Sequence, residues 1–134
     1  MEIIHVGGEG FQKLLDFESW RIAQSGYKKG TNDVSAISSM GRHHETQEAF
    51  LLMEGEAFLL SGGTGDEIGA IEIIKMEKNK LYVVQEKEWH FIVFSPMGLS
   101  LIIENSNTGA ENSANKELSR EQLEFLSREL KKRS

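Results

Sequence analysis

The sequence predicts an all-β fold, a sheet closed into a barrel or sandwich, with one α-helix appended at its C-terminal end. Three observations carry this prediction. Short apolar runs recur along the chain, each cut off by a polar or glycine-rich break. About eight such runs fall within about 90 residues, a density that suits a closed or sandwiched sheet better than an open one. The last stretch then changes period, with Leu123, Leu126 and Leu130 at helical spacing.

Met1 to Val6 reads as an edge strand. Glu9 to Ser19 is open between a helical turn and an irregular segment, since Phe11, Leu14, Leu15 and Phe17 fit either. Trp20 to Gln24 alternates, with Trp20 and Ile22 on one face. A polar loop, Tyr27 to Asp33, precedes a strand from Val34 to Met40. The dense runs Phe50 to Met53 and Ala57 to Leu60 form a hairpin-like pair with Gly55 in the bend, where a positive φ is cheap. After a glycine-rich loop, Ser61 to Gly65, come strands at Ile68 to Met76, Leu81 to Val84, Trp89 to Phe94 and Leu99 to Glu104. Pro96 and Gly98 separate the last two. Asn105 to Lys116 is polar and loop-like. Ser119-Arg-Glu-Gln122 fits a capping box, and Leu118 is placed to staple onto Leu123. Trp20, Phe50, Phe58, Trp89, Phe91 and Phe94 are candidate core.

The length of 134 residues fits one domain, with a barrel core at about 20–105 and a helix at about 119–132. There are no cysteines, which excludes disulfides, thiolate catalysis, iron–sulfur clusters and cysteine-held zinc. Any metal must therefore be held by nitrogen and oxygen. Fifteen Lys+Arg against 21 Asp+Glu give a net charge of −6, which repels phosphate backbones and anionic lipid. The expectation is no nucleic-acid partner and no membrane partner. The basic tail from Arg128 to Arg133 complements the C-terminal end of a helix dipole. With no basic start followed by an apolar run, and no long apolar stretch, the sequence predicts a cytoplasmic protein. The glycine clusters Gly7-Gly8-Glu9-Gly10 and Gly62-Gly63-Thr64-Gly65 lack the Lys-Ser/Thr ending of a phosphate loop and read as turns.

Chemistry concentrates on three of the four histidines. His43 and His44 lie in Gly41-Arg-His-His-Glu-Thr-Gln-Glu48, and His90 lies in Trp89-His90-Phe91. Imidazole and carboxylate suit Mn, Fe, Co, Ni, Cu or Zn, and a barrel interior can hold such ligands from separate strands. Adjacent strand residues face opposite ways, so a regular strand sends only one of His43 and His44 inward. If His44 faces in, Arg42 shares its side, which disfavours a cation and suits an anionic substrate group. If His43 faces in, that conflict disappears. Each histidine taken singly is also what a surface pair or a hydrogen-bonded core residue looks like.

The segment from His43 to Gly55 resembles the first motif of the cupins. That motif is a His-x-His pair, three or four residues, Glu, six residues, then Gly. Here three residues separate His44 from Glu48, four separate His43 from it, and six separate Glu48 from Gly55. Leu81 to His90 resembles the second motif, in which a histidine follows a short run and a turn. The resemblance covers roughly Trp20 to Asn105 and implies a cupin-type double-stranded β-helix. It departs from the pattern at the first histidine of the pair, where Gly41 or Arg42 stands. In the second motif Gln85, Lys87 and Phe94 replace the usual Pro, Gly and Asn. It therefore implies at most three protein ligands, drawn from His43 or His44, Glu48 and His90, for a divalent transition metal such as Mn, Fe, Ni or Zn.

Two function classes follow. One is a metal-dependent protein acting on a small polar metabolite, a sugar or a carboxylate-bearing acid, with Glu48 as candidate general base if it is not a ligand. The other is a metal-free cupin that binds a ligand or serves as a scaffold. The same resemblance implies a homodimer, with Met1 to Val6 and the C-terminal helix as candidate dimer elements.

Overall fold

The structure, a computed structural model, describes residues 1–133. Ten strands run in chain order: β1 Gly10–Phe17, β2 Trp20–Gly26, β3 Ser39–His43, β4 Glu48–Glu54, β5 Ala57–Ser61, β6 Glu72–Lys75, β7 Leu81–Val84, β8 His90–Phe94, β9 Leu99–Asn105 and β10 Ser113–Glu117. Helix α1 spans Arg120–Arg133. The strands form two antiparallel five-stranded sheets, ordered β1-β2-β9-β4-β7 and β10-β3-β8-β5-β6. The all-β expectation with one C-terminal helix is met.

Two cores hold the layers together. Between the sheets lie Ala23, Phe50, Leu52, Leu59, Phe94 and Ile102, all buried. On the outer side of the second sheet, Met40, Phe58, Leu60, Trp89 and Val93 pack against Leu118, Leu126 and Leu130 of the helix. The capping box forms as expected: the Gln122 N–H donates to Ser119 Oγ at 3.1 Å, and the Ser119 N–H donates to Gln122 Oε1 at 2.8 Å. No helix among the described residues is long and apolar enough to cross a membrane.

Several local expectations are corrected. Met1 to Val6 forms no strand, whereas Gly10–Phe17 does, with a bulge between Lys13 and Leu15 that breaks its alternation and disguises it. Val34–Ala36 is a single 3-10 turn and the strand starts only at Ser39. The runs around Gly55 are not a paired hairpin. β4 belongs to one sheet and β5 to the other, so Gly55, at φ 68°, turns the chain across the sandwich. Residues 113–117 are a strand, since their register on β3 from Ser113↔His43 to Glu117↔Ser39 supplies the partner that their composition does not advertise.

The faces of β2 and β9 run opposite to hydropathy. Arg21 and Glu104, register partners, turn inward and are 3% and 6% exposed. Their apolar neighbours Trp20 and Ile103 turn outward and are 40% exposed each. Charge is thereby carried into the barrel beside the site described next.

Candidate metal centre

His43 ends β3, Glu48 opens β4 and His90 opens β8, so the three lie at one end of the barrel. Pairing of Gly41 with His90 sets β3 beside β8, and the His43 carbonyl accepts the Lys87 N–H at 2.7 Å. Lys87 takes a positive φ of 64° in the turn Gln85–Glu88, where the Glu88 N–H donates to the Gln85 carbonyl at 3.1 Å. That turn delivers His90 to the site. Across from it, the loop before β4 is pinned by Thr46, whose Oγ accepts the Asn105 N–H at 3.0 Å.

The three side chains converge. One ligand atom from each of His43, Glu48 and His90 lies within 4.8 Å of the others. Both Nε2 atoms meet the same carboxylate oxygen: Glu48 Oε1 is 2.8 Å from His90 Nε2 and 3.3 Å from His43 Nε2. The outer nitrogens are held as well. His43 Nδ1 contacts Ser113 Oγ at 2.7 Å, and His90 Nδ1 donates to the Glu88 carbonyl at 2.9 Å. Imidazoles anchored through Nδ1 with Nε2 left to a common point are the arrangement that orients metal ligands.

The protonation of His90 follows from its partners. Nδ1 faces a carbonyl and Nε2 faces a carboxylate, both acceptors, while a neutral imidazole has one N–H. Both contacts are satisfied only if the ring is protonated or another cation stands at Nε2. Burial pushes His90 toward the neutral form, but the Glu48 carboxylate and the Glu88 carbonyl outweigh it and raise its pKa. Burial likewise pushes Glu48 up, and the hydrogen bonds from His43 and His90 more than reverse this, holding its carboxyl far below the ordinary range.

His44 is not part of this group. Its backbone N–H donates to the Asn112 carbonyl at 2.9 Å. Arg42 also points elsewhere: its guanidinium lies over the Trp89 ring at 4.3 Å and donates to the Gly65 carbonyl at 2.9 Å.

Beside the three residues is a second buried charge pair that sequence reasoning missed. Arg21 Nε donates to Glu104 Oε2 at 3.2 Å, Nη2 bonds the same oxygen, and the guanidinium also reaches the Ser106 and Thr108 carbonyls at 3.3 and 3.2 Å. Burial raises the Glu104 carboxyl, the nearby Glu48 carboxylate adds to this, and Arg21 opposes both without reversing them. A cavity of about 100 Å³ touches His90, and Ser61, Tyr82, Val84 and Glu88 are among its other walls.

This architecture is the cupin barrel. No family model matches the chain and no curated protein matches it in sequence, but many solved structures share its fold. The capsular polysaccharide assembling protein CapF from Staphylococcus aureus aligns with TM-score 0.59 at 16% identity over 84% of this chain and 33% of CapF, so the chain spans about a third of that protein. The 3,4-ketoisomerase QdtA from Thermoanaerobacterium thermosaccharolyticum, a double mutant in complex with TDP, aligns with TM-score 0.55 at 15% identity over 84% of this chain and 73% of QdtA. A cupin-2 domain protein from Shewanella frigidimarina aligns with TM-score 0.50 at 15% identity, covering 74% and 83%. At these identities the likeness defines the fold: the chain has the cupin fold.

Proposed function

We propose that the chain binds a divalent transition metal through His43, Glu48 and His90, and that two copies of this metal-holding cupin take up a small polar metabolite, a sugar or a carboxylate. The observation that carries this reading is the convergence of two anchored Nε2 atoms on one buried carboxylate oxygen. Two imidazoles and one carboxylate suit Mn, Fe, Ni or Zn and leave coordination positions open. When bound, such a metal supplies a Lewis acid that polarises a ligand oxygen.

The chain's own residues do the rest. Ser113 and the Glu88 carbonyl fix the imidazoles. One carboxylate against a divalent ion leaves net positive charge, which favours an anionic or hydroxyl-rich oxygen ligand. Two of the fold's neighbours are described by sugar chemistry, a capsular polysaccharide assembling protein and a 3,4-ketoisomerase in complex with TDP. This agrees with the sugar class, although fold alone assigns no substrate.

The test is metal content by mass spectrometry on protein purified without a His-tag or chelator, beside His90→Ala and His44→Ala variants. The expected result is close to one metal per chain in the parent and in His44→Ala, and none in His90→Ala. A parent that carries no metal and takes up none of Mn, Fe, Ni or Zn overturns the proposal. That result would leave the metal-free reading, in which a proton on His90 holds the same three residues together.

A further inference from the structure

The turn that carries His90 into the site is not one that its residues favour. It reads Gln85-Glu-Lys-Glu88, and the Glu88 N–H closes it on the Gln85 carbonyl at 3.1 Å. A turn whose third residue has a positive φ ordinarily places Gly or Asn there, often with Pro before it. Here the third residue is Lys87, at φ 64°, and the chain's one proline is Pro96. A side chain with a Cβ resists the left-handed region. Backbone preference therefore does not hold this turn, and its surroundings must.

Glu88 supplies that hold. It is half-buried. Its Oε1 reaches back across the turn and accepts the Gln85 N–H at 2.9 Å, and its Oε2 accepts the Ser61 hydroxyl at 2.5 Å. Both bonds end on an ionised acceptor, the stronger kind. Ser61 closes β5 and is the register partner of His90. The same Glu88 offers its carbonyl to His90 Nδ1 at 2.9 Å. Backbone bonds locate the residues on either side: the Lys87 N–H donates to the His43 carbonyl at 2.7 Å, and the Gly62 N–H to the Trp89 carbonyl at 2.8 Å.

We infer that Glu88 is a positioning residue whose carboxylate aims His90. By closing the turn and tying it to Ser61, the carboxylate sets the carbonyl that orients the ring, and the ring then points Nε2 at Glu48. Its bonds go to Gln85 and Ser61, so it acts through its own main chain. Only the affinity half of the test rests on the proposed metal reading; the ring half does not.

The test is histidine-ring NMR of the nitrogen-15-labelled full chain in chelator, followed by titration with cobalt(II), in the parent, Glu88→Ala, Glu88→Gln and Ser61→Ala. Each variant keeps the residue-88 carbonyl, so any change reports the side-chain bonds. The expected parent shows a slowly exchanging Nδ1–H signal that is assigned by its absence from His90→Ala. Glu88→Gln should keep that signal, because its amide oxygen can accept from Gln85 and its amide nitrogen can donate to Ser61. Glu88→Ala should lose it. Outer partners of metal ligands change affinity by 10–100-fold, so cobalt affinity should fall about 10-fold in Glu88→Ala, stay within about 3-fold in Glu88→Gln and lie between the two in Ser61→Ala. A Glu88→Ala protein with unchanged ring signal and affinity overturns the inference. So does a Glu88→Gln protein as impaired as Glu88→Ala, since charge and not the two bonds would then be acting, and so does a parent with no protected ring signal. A parent that takes up no cobalt removes the metal reading and leaves the ring signal to decide this one. If circular dichroism shows Glu88→Ala unfolded, Ser61→Ala decides, and an unchanged ring signal there overturns the inference.

Discussion

Glu48 and Glu104 are both 6% exposed, both point into the same barrel, and both are paired with a cation. Their surroundings drive them in opposite directions. Glu48 is held strongly ionised by two imidazoles, whereas Glu104 is raised despite a guanidinium that bonds it through two nitrogens. The difference lies in what the partner can give up. An imidazolium can release its proton, so the cation beside Glu48 is exchangeable, and under the proposed function a metal takes the proton's place. A guanidinium never discharges, so the cation beside Glu104 is permanent. One pair is built to be opened, and the other to hold the strand ends and the loop after β9 in place.

The sharpest break of that comparison is Arg21→Met. It leaves Glu104 buried without a counter-charge and frees the Ser106 and Thr108 carbonyls. Removing one member of a buried pair costs about 3–5 kcal/mol, so urea unfolding will show a loss of that order. Adding Glu104→Leu will restore most of it, because an apolar pair of similar volume needs no charge compensation. A loss below about 1 kcal/mol, typical of exposed pairs, would show that Arg21 is not the fixed partner described here.

Glu48→Gln will act differently. His90 can shed its proton, so no permanent charge is stranded, and the loss in urea should be that of hydrogen bonds to a charged group, about 1.5–3 kcal/mol. Metal uptake, by contrast, should disappear, while Arg21→Met, where folded, should retain it. Equal metal loss in both variants would erase the functional distinction between the two carboxylates.

Legibility in the sequence follows the same division. The helix was readable because Ser119, Gln122 and three leucines advertise it locally. His43, Glu48 and His90 were readable as candidates because of their spacing, while their meeting depended on β3–β8 pairing, which no local signal carries. Arg21 and Glu104 were invisible as a pair. Alternation along β2 shows Trp20 and Ile22 sharing a face, and hydropathy then argues that this face is inside. It is outside, because that sheet is apolar on both sides and its charged residues are turned inward. A strand that is apolar on its outer face as well as its inner one loses the contrast that pattern reading needs. β10 escaped for a plainer reason: Ser113 to Glu117 has no β-branched or aromatic residue, and only its place beside β3 makes it a strand.

The smallest expected effect is the pH dependence of the metal-free protein. His90 has a raised pKa in the folded state. Its contribution is therefore fully present below the unfolded value, about 6.5, and is lost as pH rises through the higher folded value. Glu48 has a depressed pKa, so its share is present above the unfolded carboxylate value and is lost only as pH falls through the lower folded one. The stability difference between the parent and His90→Gln, followed by urea unfolding in the presence of chelator, should therefore shrink as pH climbs past neutrality. A matching difference measured against Arg21→Met should show no loss there, since the guanidinium keeps its proton throughout. Saturating metal should abolish the alkaline decline in the parent, because the metal then fills the place from which the proton leaves. A parent whose advantage over His90→Gln grows with pH would mean that His90 is neutral in the fold and is not the exchangeable cation beside Glu48.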